Sequence, residues 1–180
     1  MTEEERLDCR YQLAYKADHS ARYHRRRSSF LRAIDLLITL LVAISGATAF
    51  GDLKDGAPSL VSMVATAVIT ALSLTQAIAQ FGRKSAEHSG WLARWNQLAA
   101  AIETTPKPSK RDVEDWLKEK SAIESECVSE LRALAIDTEN RSARYFSLEG
   151  RFRRINWWQR LIIQLGTLQQ SFPRVPDDEF

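Results

Sequence analysis

The hydrophobic positions of this chain fall into two blocks and are not spread at one period. Between residues 36 and 82 only Asp52, Lys54 and Asp55 carry a charge, and the flanks hold nearly all the other ionisable residues. Residues 57–82 run for 26 positions without a formal charge. A helix rises about 1.5 Å per residue, so this run clears a hydrocarbon layer of about 30 Å with some tilt. A shorter apolar run covers residues 33–51, with Asp35 near its start. A carboxylate at the bilayer centre costs ~3 kcal/mol, so Asp35 belongs at the headgroup level or against a bundle interior. Helices apolar on all sides also occur in large soluble cores, but these flanks are too polar to build one. The pattern predicts an all-α membrane protein with a two-transmembrane hairpin, spans 33–51 and 57–82.

The linker GDLKDGAP holds two glycines, a proline and two aspartates, the composition of a tight polar turn. So short a link brings the second span back antiparallel, with both termini on one side. Arg22, Arg25, Arg26, Arg27 and Arg32 precede the first span with no acid among them, and Arg83 and Lys84 follow the second. The excess of cations on that side predicts cytoplasmic termini.

The polar residues of the second span are ordered. Ser59, Ser62, Thr66, Thr70, Ser73, Gln76 and Gln80 follow at steps of 3, 4, 4, 3, 3 and 4, which holds them to one helix face. Small hydroxylated residues let membrane helices approach and hydrogen-bond. Alternatively, copies of the helix around an axis would present the stripe, with Asp35, as a pore lining. Both readings stay open, and a pore requires a homo-oligomer because two helices enclose nothing. A tetramer is a guess with no residue behind it.

The flanks read as helices. Residues 1–32 form an N-terminal amphipathic and basic helix, with Thr2 and the following glutamates as a candidate cap and Leu7, Tyr11, Ala14 and Tyr15 at helical spacing. Residues 83–172 form a cytoplasmic helical region. Trp91, Trp95, Leu98 and Ile102 make an apolar stripe on a helix continuous with the second span, an expected interface between copies. Two prolines in TTPKPSK end it, and one further helix is expected from Ser109 to about Arg144, packed antiparallel on it. Arg141, Arg144, Arg151, Arg153, Arg154 and Arg160 face a single Glu149 and lead into Trp157, Trp158 and an apolar stripe. This suits membrane lipid at the interface, an anionic ligand such as a nucleotide or oligonucleotide held by guanidinium forks, or packing on the bundle. Residues 173–180 read as a loose tail.

Composition then removes chemistry. Net charge is only +2, too small for a nucleic-acid field. Cys9 and Cys127 are far apart and lack metal spacing, the N-terminus is too acidic for a signal peptide, and His19, His24 and His88 show no ligand pattern with carboxylates. No phosphate-binding glycine loop, HExxH or GxSxG occurs. No cofactor, metal or catalytic residue is expected, and the chain is expected not to be an enzyme.

The order of parts, together with FGRKSAEHSGWLARWNQLAAAIE after the second span, resembles the SLATT family of two-transmembrane effectors. The resemblance covers about residues 5–165. It implies an oligomeric effector of a bacterial anti-phage nucleotide-signalling system that forms a pore or perturbs the inner membrane. It also implies control by a nucleotidyltransferase or its nucleotide product. A non-conducting anchor that recruits a cytoplasmic partner, and a disruptor acting through the Trp157 segment, remain alternatives.

Overall fold

The computed structural model describes residues 1–54, 60–127, 131–146 and 155, and among these the protein is all-helical. Five helices follow in order: α1 (Glu3–Lys54), α2 (Leu60–Ala79), α3 (Phe81–Glu103), α4 (Lys110–Glu126) and α5 (Arg132–Tyr145). They divide into two compact units, one of Met1–Arg27 with His88–Phe180, the other Ser28–Glu87.

The first unit is a bundle. Its α1 starts on a reciprocal cap: Thr2 Oγ1 accepts from the Glu5 amide at 3.2 Å while Glu5 accepts from the Thr2 amide at 2.7 Å. Leu13, Ala17 and Ala21 recur every four residues on α1 and meet Trp95, Leu98 and Ile102 of α3 with Val113, Trp116 and Ile123 of α4. The alanines are small where the two tryptophans are large, which lets the helices approach closely. The N-terminal helix is therefore a full member of this core.

Where α3 ends, Thr104 and Thr105 donate their hydroxyls to Ala100 and Ala101 carbonyls, and Arg10 Nε donates to the Ile102 carbonyl at 3.1 Å. Pro106 and Pro108 then turn the chain, and Ser109 with Asp112 forms a capping box that restarts it as α4. Arg94 of α3 grips α4 through Glu119 at 3.0 Å and Glu126 at 2.7 Å.

The single helix expected from Ser109 to Arg144 is two. α4 stops at Glu126, with Cys127 extended behind it, and α5 starts at Arg132. Leu134 and Ile136 form a separate small core with Tyr23 of α1, apart from the one that holds Val113 and Ile123. Tyr23 Oη accepts from the Leu131 amide at 2.9 Å and anchors the start of α5. Farther along, Asp137 takes both Arg26 and Arg141, and Asp18 takes Arg22 at 2.7 Å and the Ser142 hydroxyl at 2.6 Å.

The second unit is the apolar hairpin. α1 carries on to Lys54, three residues into the expected turn, and α2 occupies residues 60–79 of the expected second span. Residues 55–59, Ser59 among them, lie outside the described part. The expected continuity of α2 with α3 holds in hydrogen bonding but not in backbone shape. Gln80 stands between them at φ +50°, while its amide still donates to Gln76 at 2.9 Å and its carbonyl accepts from Lys84 at 3.0 Å. That left-handed geometry costs a non-glycine residue about 1–2 kcal/mol.

Ile102 is 0 % exposed in the bundle core, whereas Leu7 of α1 is 42 % exposed. Ile102→Ala will destabilise the bundle by about 2–4 kcal/mol in urea unfolding, and Leu7→Ala by under about 0.5 kcal/mol. Equal effects would show that the stripe is not packed within the chain.

Candidate functional site

The hairpin brings Asp35, the one acid within the first span, against α2 and the start of α3. Gln76 Nε2 donates to Asp35 Oδ1 at 3.0 Å and to Thr39 Oγ1 at 3.3 Å. Gly82 lies over the same carboxylate: a Cβ there would stand 3.1 Å from Asp35 Oδ2, so a larger residue would push the carboxylate aside by a few tenths of an ångström. Below it, Ser85 Oγ donates to the Ser28 carbonyl at 3.0 Å. As numbers rise along α1 the partners fall along α2 and α3, which is the antiparallel register that the short linker demands.

The stripe is divided by this packing. Ser62 is buried and Gln76 is half-buried in the clasp on Asp35, so these two serve the hairpin itself. Thr66, Thr70, Ser73 and Gln80 are exposed. Thr66 and Thr70 donate their hydroxyls to the carbonyls of Ser62 and Thr66, at 2.8 and 2.9 Å. Such back-bonding satisfies a hydroxyl inside its own helix and leaves the oxygen able to accept from water or another helix.

In the bundle, the stripe expected at an interface between copies is buried within one chain. Trp95, Leu98 and Ile102 are 2, 4 and 0 % exposed, and half-buried Trp91 packs against the same core. The N-terminal helix and α4 supply the cover that a second copy was expected to provide. Of the six arginines read as an anion or lipid site, Arg141 donates to Asp137 at 3.1 Å and so is neutralised locally, while Arg144 is exposed near the end of α5. Arg151, Arg153, Arg154 and Arg160 lie outside the described residues.

One constellation was not foreseen. His24 of α1 and His88 of α3 place their Nδ1 atoms 2.9 Å apart, so one donates and the other accepts. Trp91 lies against both rings, and Tyr23 stands edge-on to both. Cys127 Sγ is 3.7 Å from His24 Nε2. Burial first, then His88, His19 and Lys16, push His24 down to about 3; burial, then Arg27, pushes His88 down to about 4. Both rings are neutral at pH 7. The sequence held a signal for the pair: each histidine stands a similar distance outside the hairpin, one before and one after, so an antiparallel return sets them level. No group of three or more His, Cys, Asp or Glu among the described residues is arranged to hold a metal ion. Burial, with Asp8 nearby, raises the Cys9 thiol above its ordinary value, which disfavours the reactive thiolate.

Two outcomes follow from these geometries. Gln76→Leu strips the Asp35 carboxylate of its amide donor and will lower hairpin stability in detergent by about 1–3 kcal/mol. Ile78→Leu on the same helix will be near neutral, and equal losses would dismiss the clasp. The histidines bind protons less well folded than unfolded, so their contribution is complete above about pH 6.5 and declines as pH falls toward 4 and then 3. Between pH 6.5 and 5, above the carboxylate range, wild-type Tm will fall and that of His24→Phe/His88→Phe will stay flatter; parallel curves would contradict the buried neutral pair. No family model matches the sequence, and neither a curated protein nor a solved structure matches it.

Proposed function

We propose that this protein is a homo-oligomeric membrane effector of a bacterial anti-phage nucleotide-signalling system. It opens an ion-conducting pore in the inner membrane, or perturbs that membrane, with both termini in the cytoplasm. The observation that carries the membrane half is exposure. Two helices are long and apolar enough to cross a bilayer, yet only 11 % and 6 % of their apolar windows are buried within the chain. Leu36, Leu37, Leu40 and Ile44 on one helix, and Leu60, Val61, Met63, Val64 and Ile78 on the other, are more than half exposed. A core helix of a soluble protein would hide these side chains. Lipid would cover them.

The pore half is supported by Thr66, Thr70 and Ser73, which remain exposed on one face of a largely apolar helix. A ring of copies would set these hydroxyls around an axis, and a change in bundle packing would gate it. The trigger is an anionic ligand or a partner protein, such as a nucleotidyltransferase or its product. The defence setting rests on the SLATT resemblance alone. A second reading, a non-conducting anchor that recruits a partner, is favoured by Ser62 and Gln76, because the hairpin already consumes both in its own packing.

Planar-bilayer recording of the purified protein separates the two. Thr70→Leu with Ser73→Leu will abolish conductance and leave membrane insertion and detergent-measured mass unchanged. Full conductance in that variant would remove the hydroxyls from the pore, and no conductance in the wild type with its activating partner present would favour the anchor.

A further inference from the structure

The cations around the hairpin are divided in a way that the expected topology does not require. In the bundle several cations are held by carboxylates, Arg22 by Asp18, Arg26 by Asp137 and Arg94 by Glu119 and Glu126, although exposed Arg25 is not among them. At the open end of the hairpin none of the three cations is held so closely. Arg32 and Lys84 are exposed, and among the described residues neither has a carboxylate within ion-pair distance. Arg83 meets only Glu87, at 3.4 Å with both side chains well exposed, a contact that solvent screens.

Register places these three cations at one level. Ser28 is joined to Ser85, and Asp35 lies against Gly82. Arg32 falls between Ser28 and Asp35 on α1; Arg83 and Lys84 fall between Gly82 and Ser85 on α3. One to two turns farther along α1, about 6–12 Å at the helical rise, the exposed surface becomes Leu36, Leu37 and Leu40, at 59, 56 and 51 % exposure. Three cations, offset in part by Glu87 and Asp35, thus stand over exposed leucine. A phospholipid has the complementary order, phosphate above acyl chain. Free phosphate would satisfy the cations and leave the leucines bare, and a nucleic acid or acidic protein would have to cover leucine with polar surface.

We propose that Arg32, Arg83 and Lys84 form a collar that docks the headgroups of anionic phospholipids, with the acyl chains on the Leu36–Leu37–Leu40 face. This rests on the membrane reading above. Each cation contributes about a fivefold preference for an anionic over a zwitterionic lipid.

The test uses the full chain reconstituted in vesicles of phosphatidylcholine with spin-labelled phosphatidylglycerol or phosphatidylcholine as probe, read as the fraction of each label immobilised by the protein. The wild type will select phosphatidylglycerol, and Arg32→Gln/Lys84→Gln will lose that selectivity while Arg111→Gln, an exposed cation on α4, keeps it. Unchanged selectivity in the double variant, or equal loss in Arg111→Gln, overturns the collar. Loss of wild-type selectivity on adding inorganic phosphate at constant ionic strength reassigns the cations to a free anion and also overturns it. Wild-type protein that fails to float with phosphatidylcholine vesicles refutes the membrane reading itself; protein that floats but selects no lipid refutes only the collar.

Discussion

A polar group inside an apolar segment must find its partner within the protein, and this requirement fixes the hairpin. Asp35 is the hardest case, a carboxylate at the start of a run of leucines and isoleucines. The amide of Gln76 reaches it from α2, and the bare backbone of Gly82 lets α3 come close beside it. A slip of one residue between the helices would move Gln76 off the carboxylate and crowd Asp35 where Gly82 now leaves room. Hydrophobic burial brings apolar helices together without choosing a register. The clasp makes the choice.

The same rule explains how hydroxyls are tolerated on α2. Thr66, Thr70 and Thr75 each donate to a carbonyl four residues back, which satisfies these three hydroxyls within the apolar helix. These residues can face lipid, a neighbouring helix or water at little cost. Threonine spacing alone therefore could not decide between lining and packing, and the finer division came from what the partner helix offers: a carboxylate that takes the Gln76 amide.

Most of the architecture was legible because charge and hydropathy change abruptly along the chain. The two apolar helices, the turn prolines and the Ser109 start all follow from local chemistry that position in the fold does not override. Three features were not legible. The Trp91–Ile102 stripe needed cover, and nothing local shows whether that comes from another copy or from Leu13, Ala17 and Ala21 some 80 residues earlier. The break after Glu126 depends on Tyr23 receiving the start of α5, again a long-range event. The neutral histidine pair was hidden because each histidine was weighed against nearby carboxylates, when its partner was another histidine 64 residues away.

That long-range core has a consequence for biogenesis. The N-terminal third of the bundle leaves the ribosome first, yet its apolar face is completed only when Ile123 has emerged. Both apolar helices are synthesised in between. The nascent chain must therefore commit its hairpin while Leu13, Ala17 and Ala21 are still uncovered, and closure of the bundle becomes the last step of maturation. A chain that stalls before α4 would hold an uncovered, sticky amphipathic helix, the form in which quality control would meet it.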